Sequence, residues 1–249
     1  LKRLKDVEET AIYAGKKTEV VLVDQSMANL ASNNARQIYS QVVGLNIYQN
    51  DDAGLQLNIG GRGLDPNRTA NFNTRQNGYD ISADPLGYPE SYYAPPVQAI
   101  QKIELIRGAA SLQFGPQFGG MLNYDLIDPS KKKIGVISEQ SAASFGILSS
   151  FNAIGGTIDR TEYMVYYQRK QGEGWRPNSE FTSNNAHASV GRKLDGNGSI
   201  NIEWSYYDYL AKQAGGLTDV QFEQDPNASY RNRNWFKVKW NLLAVNYEQ

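Results

Sequence analysis

The second half of the chain alternates apolar and polar positions over long stretches. INIEWSY (residues 200–206) places its apolar residues on one side and its polar residues on the other, and FKVKWNL (236–242) repeats the pattern. Such alternation predicts β-strands with one apolar and one polar face. Six strands are predicted in this way, at about 132–142, 143–156, 161–171, 184–194, 199–211 and 233–247.

The connections between these strands differ in length. Two are tight, DRTE at 159–162 and DGNG at 195–198, and the alternate ones are longer, at roughly 172–183 and 212–232. DGNG is a strong turn signal. Strands of about ten or more residues, with short turns at one end and long loops at the other, are typical of an outer-membrane β-barrel. A soluble β-sandwich can show the same features, so the strands alone leave both folds open.

The first half of the chain has a mixed pattern. TEVVLVD (18–24) predicts a buried strand, SNNARQIYSQVVG (32–44) a helix with a polar cap and a terminal glycine, and LQLNIGGRG (55–63) an alternating strand. Residues 64–95 have no period and predict a long loop, which in a compact domain is usually functional or mobile. PPVQAIQKIELIRG (95–108) predicts a short helical start followed by a strand.

Composition removes several kinds of chemistry. The chain has no cysteine, which excludes disulfides, thiolate metal sites and cysteine nucleophiles. Its one histidine, His187, has no partner motif around it, and we expect a polar surface or packing role. A net charge of −1 gives no reason to expect nucleic acid. No covalent chemistry is encoded, so we expect a protein that is not an enzyme.

A glycine-rich segment separates two strand-like runs between residues 103 and 124. The glycines are Gly108, Gly115, Gly119 and Gly120, with two glutamines and two phenylalanines among them. Glycine allows close backbone approach, and the aromatic and glutamine side chains could then meet a polar ligand. The segment lacks the phosphate-binding P-loop pattern, so no phosphate cradle is expected.

Four segments occur in order along the first half of the chain: VVGLNI (42–47), LNIGGRG (57–63), NGYDI (77–81) and IQKIELIRGAASLQFGPQFGGMLNY (100–124). In this order they resemble the plug domain of the TonB-dependent outer-membrane receptors. The last match is long and specific. It covers Ile103, Glu104, Arg107, Gly108, Ser111, Phe114, Gly115, Gly119, Gly120 and Asn123.

The resemblance implies an α+β plug domain followed by antiparallel transmembrane β-barrel strands. It places an N-terminal extended segment at 1–17, the plug at 18–130 and the first strands of the barrel at 131–249. Plugged transporter barrels have about 22 strands, and lipid does not tolerate open sheet edges. We therefore expect the chain to be an incomplete part of a longer receptor, with the plug inside the barrel.

The resemblance also implies a function, which is energy-coupled import of a scarce ligand across the outer membrane of a Gram-negative bacterium. A TonB-type periplasmic protein would pair with a short extended segment before the plug, for which residues 4–12 are the candidate. The other partners would be outer-membrane lipid and the ligand. FGPQFGG (114–120) and GYPESYYAPP (87–96) look most like ferric-citrate-type siderophore receptors. Iron would enter only as part of the transported chelate, with no cofactor.

An anionic chelate is best met by charge-assisted hydrogen bonds from arginine and by neutral donors. The candidate ligand-binding residues are Arg68, Arg75, Tyr92, Tyr93, Gln113, Gln117 and Arg176, with Arg231 or Arg233 as further barrel-loop candidates. Each arginine could instead be a solvated loop charge, and Tyr92 and Tyr93 could pack the loop. The resemblance further implies that Arg62, Glu104 and Arg107 take part in pairing between plug and barrel.

Two other functions remain open from the sequence. One is a soluble glycan-binding or glycan-cleaving β-protein, in which Tyr and Trp stack on sugars and Glu90 and Asp84 act as acid and base. The other keeps the plug-and-barrel fold but places it in a larger surface assembly, for protein export or glycan uptake with a surface lipoprotein.

Overall fold

The computed structural model describes two compact units. The described residues are 7–8, 11–12, 18–23, 35–39, 42–49, 54–83, 88, 90–129 and 131–249. The N-terminal unit comprises 1–50 and 56–128, and the C-terminal unit comprises 51–55 and 129–249. Among the described residues, no helix has the length and apolar character needed to cross a membrane.

The N-terminal unit is built on a five-stranded mixed sheet. Its elements are β1 (Val7–Glu8), β2 (Ala11–Ile12), β3 (Thr18–Leu22), α1 (Ala35–Ile38), β4 (Leu45–Ile47), β5 (Ile59–Gly61), β6 (Phe72–Gln76), β7 (Tyr79–Asp80), β8 (Ile100–Ile106) and β9 (Gly120–Leu126). The sheet has the order β3-β8-β9-β6-β7, in which β6 and β9 are parallel and the other neighbours antiparallel. Short 3₁₀ turns precede β6, β8 and β9.

The prediction of a loop over residues 64–95 is wrong for its middle part. β6 lies there, between β9 and β7, and four of its five residues are buried. Its sequence FNTRQ is polar and has no clean alternation, so its hydrophobic pattern gave no strand signal. The turn to β7 is a better signal, because Asn77 (φ 46°) and Gly78 (φ 84°) have the positive φ values of a two-residue hairpin turn.

The other predictions for this unit are largely confirmed. The predicted strand at 18–24 corresponds to β3, and the predicted strand at 55–63 is reduced to β5. The helix predicted within residues 32–44 is shorter in the structure, where α1 is Ala35–Ile38. Residues 32–34, proposed to cap it, lie outside the described residues, as do parts of the 4–12 segment and Asp84.

The two faces of the N-terminal sheet differ in character. One face carries buried apolar side chains of β8 and β9, including Ile103, Leu105 and Leu122. On the opposite face the same two strands carry an ionic cluster, formed by Lys102, Glu104, Asn123 and Asp125.

The C-terminal unit is a six-stranded antiparallel meander, which confirms all six predicted strands. They are β10 (Gly135–Ala143), β11 (Ile147–Ile158), β12 (Thr161–Gly172), β13 (Phe181–Lys193), β14 (Ser199–Lys212) and β15 (Trp235–Glu248). One end of the sheet, the turn end, has connections at 159–160 and 194–198. The other, the loop end, has connections at 144–146, 173–180 and 213–234.

The polarity of this sheet is inverted relative to that of a water-soluble protein. Its exposed face carries a lateral row of apolar residues, each paired with the next: Val136, Ile154, Val165, Ala188, Trp204 and Leu243. Its buried face combines apolar and aromatic side chains, such as Phe151, Tyr166 and Tyr209, with many polar ones: Ser149, Gln168, Lys170, Ser183, Asn185, His187, Glu203 and Ser205. An outward apolar band over a polar interior is the pattern of transmembrane barrel strands. The pattern favours the barrel over the soluble sandwich.

Candidate ligand-binding and pairing residues

The glycines of the 108–120 loop bring three stretches of backbone together. The Gly119 amide donates a hydrogen bond of 2.7 Å to the Asn71 carbonyl oxygen. A Cβ atom at Gly119 would lie 2.6 Å from that oxygen, and one at Gly120 would lie 2.3 Å from the Ile106 carbonyl oxygen. Gly120 also has φ +120°, which L-residues rarely adopt. The glycine pattern therefore allows β9 to start in close contact with the backbone of its neighbours.

Arg68 lies in a small cluster with Glu90 and Tyr92, two other side chains of the 64–95 region. Its guanidinium is 3.7 Å from Glu90 and 5.6 Å from the centre of the Tyr92 ring. The Tyr92 hydroxyl donates to Glu90 at 3.0 Å, and burial, followed by that hydrogen bond, raises the pKa of Tyr92. The side chains of Arg68 and Glu90 are 29% and 21% exposed. This cluster is the place where the structure brings together two of the predicted ligand-binding residues, Arg68 and Tyr92.

The guanidinium of Arg75, in contrast, already donates hydrogen bonds to several protein oxygens. Its guanidinium donates to Asn73 Oδ1 at 2.8 Å and to the Gly78 carbonyl at 2.6 Å, and it stacks 5.1 Å from the centre of the Phe114 ring. These contacts join β6 to the hairpin turn and to the glycine loop. A structural role therefore accounts for the hydrogen bonds of Arg75, and ligand contact by this residue stays a prediction.

The remaining plug candidates differ in accessibility. Tyr93 is only 1% exposed, and its hydroxyl donates to Gln76 Oε1 at 2.8 Å, which supports the packing alternative for this residue. Gln113 is exposed and donates to the Ala110 carbonyl at 2.7 Å. Gln117 is half-buried beside Gly115. Of these three, Gln113 has the side chain most available to a ligand.

Arg176 joins two connections at the loop end of the C-terminal sheet. Its guanidinium donates to the Gly215 carbonyl at 2.8 Å and to the Ala228 carbonyl. Nearby, the side-chain amide of Asn178 donates to three backbone carbonyls of the 213–234 connection, at 2.6–3.0 Å. We call these two side chains the loop clamp. Arg231 and Arg233 are exposed.

Two of the three predicted plug–barrel pairing residues, Glu104 and Arg107, have polar partners inside the N-terminal unit. Arg107 donates to Glu19 and, at 2.9 Å, to the Val43 carbonyl. Glu104 is 5% exposed and accepts from Lys102 and Asn123. Arg62 is exposed and has a positive φ of 60°. Pairing of these residues with barrel carboxylates stays a prediction.

Lys102 and Asp125 complete an ionic cluster that the sequence predictions missed. Burial alone would lower the pKa of Lys102, but the hydrogen bonds that its ammonium donates to Asp125 and Glu104 raise that pKa well above its ordinary value. Lys102 Nζ lies 2.6 Å from Glu104 and 2.8 Å from Asp125. The spacing of these residues could have indicated the cluster. Lys102 and Glu104 are two residues apart on one strand, Asn123 and Asp125 are two apart on its neighbour, and each pair therefore points to one face.

His187 has the packing role that was one of its two expected alternatives. It is 1% exposed, stacks on Tyr166 with 5.2 Å between ring centres, and shares a 2.9 Å hydrogen bond with Ser205. Within the described part of the chain, no group of three or more potential ligands could hold a metal ion.

Comparisons with known proteins agree with this architecture. A family model described as the TonB-dependent receptor plug domain matches residues 15–121. The solved structure of the ferric citrate transporter FecA in its unliganded form is 22% identical with a TM-score of 0.77, and the match covers 92% of this chain and 36% of that chain.

Two further solved structures share the fold. A mutant of the ferric enterobactin receptor PfeA from Pseudomonas aeruginosa is 14% identical with a TM-score of 0.64, covering 93% of this chain and 38% of that chain. The copper transporter OprC is 16% identical with a TM-score of 0.64, covering 81% of this chain and 32% of that chain. The chain thus spans roughly a third of the length of the solved structures it matches.

Proposed function

We propose that this chain is part of an energy-coupled outer-membrane receptor, because residues 15–121 match the family model of the TonB-dependent receptor plug domain and the chain shares the fold of solved transporters and siderophore receptors. In this proposal the receptor lies in the outer membrane of a Gram-negative bacterium. A TonB-type periplasmic protein engages the segment before the plug, and the plug gates the barrel. No covalent chemistry is required.

The inverted polarity of the C-terminal sheet is the observation that carries this proposal. Its exposed apolar row includes Val136 and Leu243, each about 70% exposed, which would be unfavourable in water and is favourable against lipid. Strands β11 to β15 have 12–14 residues. That length exceeds the roughly 9–11 residues that a tilted strand needs to cross a bilayer.

We further propose that the imported ligand is a ferric chelate of the citrate type. The support is the sequence likeness of the 87–96 and 114–120 segments and the fold shared with a ferric citrate transporter. Within this chain, Arg68 is the candidate cation best placed for an anionic chelate. Its guanidinium is partly exposed, pairs with Glu90 at 3.7 Å and lies beside the Tyr92 ring, whereas those of Arg75 and Arg176 donate to backbone carbonyls. Iron would enter as part of the chelate, without a cofactor.

The test is a binding titration of the full-length receptor with ferric citrate, other iron chelates and oligosaccharides. A charge-assisted hydrogen bond contributes about 1.5–3 kcal/mol, so Arg68→Ala should weaken binding of ferric citrate by roughly 10- to 100-fold. Arg36→Ala, at an exposed arginine of α1, is the matched control and should leave the affinity unchanged.

Each result of the titration bears on a separate part of the proposal. Binding that is equal in both variants would exclude Arg68 as a contact. Failure of every iron chelate to bind would overturn the choice of ligand. Saturable binding of an oligosaccharide instead would support a glycan-uptake assembly.

A further inference from the structure

The two ends of the C-terminal sheet differ in charge. Residues 131–133, 159–162 and 192–195, at the turn end, contain six basic and three acidic side chains. The basic ones are Lys131, Lys132, Lys133, Arg160, Arg192 and Lys193, and the acidic ones are Asp159, Glu162 and Asp195. The two long connections at the loop end, 173–180 and 213–234, contain three basic and five acidic side chains. Positive charge is therefore concentrated at the turn end, although the chain as a whole is nearly neutral.

Hydrogen bonds place the three basic segments side by side. The Thr157 amide donates to the Lys132 carbonyl at 2.9 Å, and the Tyr163 hydroxyl donates to the Lys133 carbonyl at 2.7 Å. The Lys193 amide donates to the Arg160 carbonyl at 3.0 Å. All six basic residues are exposed, so they form one cationic surface along the turn end of β10 to β13, which we call the basic rim.

The basic rim adjoins the apolar exposed face of the same sheet. Arg192 is paired with Ile200, which is paired with Tyr247, so the three residues lie in one lateral row. The next row away from the turn end contains Val190 and Ile202. An arginine at the edge of a lipid-facing band lies at the depth of the lipid headgroups, where long basic side chains reach the interface.

The acidic groups at this end neutralise only part of the charge. Asp195 pairs with Arg160, and Asp159 and Glu162 are exposed near the same turn. Glu248 lies further along the sheet, opposite Ser199. For Arg192 the side-chain contact given by the structure is a 3.3 Å hydrogen bond to Thr161 Oγ1, a neutral group. Its guanidinium therefore retains donors in the planar arrangement that matches phosphate.

We propose that the basic rim binds the headgroups of anionic phospholipids, with Arg192, which shares the exposed face of Val190, at the centre of the contact and Lys193 at the end of the same strand. The inference rests on the proposed function, because it requires the apolar face to be covered by lipid. It adds the class of lipid and the end of the sheet at which that lipid binds. Electrostatic attraction to an anionic headgroup, beside an apolar face that takes the acyl chains, accounts for the choice of a lipid over a soluble anion.

The experiment uses full-length receptor delipidated in mild detergent, with bound lipids counted by native mass spectrometry. Phosphatidylglycerol is the anionic probe and phosphatidylcholine the neutral one. The test variant is Arg192→Gln with Lys193→Gln. The control is Lys237→Gln with Lys239→Gln, two exposed lysines near the loop end of the same sheet. Heat-modifiable migration on gels checks that both variants are folded.

The wild type should prefer phosphatidylglycerol, and the test variant should lose about fivefold in phosphatidylglycerol affinity for each charge removed. The control variant and Arg192→Lys should keep the wild-type preference. Added salt should weaken the preference in the wild type, because headgroup contacts at a surface are screened.

Two other outcomes separate this inference from the proposed function. A receptor that inserts into bilayers but binds both lipids equally, or loses the same affinity in the test and control variants, would overturn the lipid inference alone. A full-length receptor that stays folded in water and inserts into no bilayer would overturn both.

Discussion

Replacing Gly120 with alanine should destabilise the five-stranded sheet of the N-terminal unit far more than the same change at Gly63. Both glycines have positive φ, +120° and +75°, but a Cβ atom at Gly120 would lie 2.3 Å from the Ile106 carbonyl oxygen, whereas one at Gly63 has nothing within 4 Å. The oxygen belongs to β8, so the clash cannot be relieved by rotating a side chain.

The expected magnitudes follow from these contacts. A strained φ costs on the order of 1–3 kcal/mol, and overpacking against a fixed group costs typically about 1–3 kcal/mol more. We expect roughly 2–6 kcal/mol for Gly120→Ala. For Gly63→Ala, where only the left-handed conformation is unfavourable, we expect about 1–2 kcal/mol.

Amide hydrogen exchange of the full-length receptor measures this difference where it arises. The amides of β8 and β9 report opening of the central part of the five-stranded sheet. A difference of about 2 kcal/mol between the variants would raise their opening constant by roughly 30-fold in Gly120→Ala relative to Gly63→Ala. The amides of β13 and β14 serve as an internal reference.

Equal protection of β8 and β9 in the two variants would refute the reasoning. It would mean that the sheet relaxes around an added methyl group at negligible cost. The glycines would then be explained by something other than close packing, such as contact with a ligand.

Three further predictions concern other parts of the chain. Ala188→Arg, in the apolar row, should lower the stability of the receptor in vesicles by about 2–4 kcal/mol in chemical unfolding, whereas Thr182→Arg, at an exposed position of the same face nearer the loop end, should cost under about 1 kcal/mol. Equal costs would contradict a lipid-facing band. Asn178→Ala should speed hydrogen exchange of the backbone amides in the 213–234 connection and leave exchange at the turn end unchanged. An unchanged rate in that connection would show that the hydrogen bonds of the Asn178 side chain are dispensable. Burial, together with their mutual contact, raises the pKa of Tyr39, and burial raises that of Tyr124. Because unfolded tyrosine ionises at about pH 10, the contribution of the two buried tyrosines to the stability of the N-terminal unit is complete below that pH and is lost as the pH rises towards their folded pKa values. Exchange of β9 amides between pH 9 and 11, corrected for intrinsic rate, should show a shallower loss in Tyr124→Phe than in the wild type, and identical slopes would contradict it.

The fold was predictable where side chains alternate, and unpredictable where they do not. The β14 strand shows regular alternation because one of its faces meets an apolar environment and the other a polar one. β6 gives no such signal, because three of its four buried residues are polar and make hydrogen bonds, while only Phe72 is apolar. Thr74 bonds to Ser91 and Asn73 to Asp80. Such a strand is stabilised by hydrogen bonds to residues elsewhere in the chain, and the local sequence pattern carries no information about those partners.

The candidate site was predictable as a list of donors but not as an arrangement. An arginine in a glycine- and proline-rich loop has the same sequence signature whether it is exposed or, like Arg176, donates to backbone carbonyls. Arg68 and Tyr92 are separated by 23 intervening residues, and the contact that joins this part of the chain is the bond from the Ser91 amide to the Arg68 carbonyl. Backbone pairing of that kind leaves no trace in residue type.

The loop clamp has a consequence for any molecule that reaches the loop end. A free segment the length of the 213–234 connection would lose much of its conformational entropy on binding, and that loss would oppose association. Arg176 and Asn178 engage five of its carbonyl groups in advance. An incoming molecule would therefore meet a preorganised surface, and more of the interaction energy at that surface would remain as affinity.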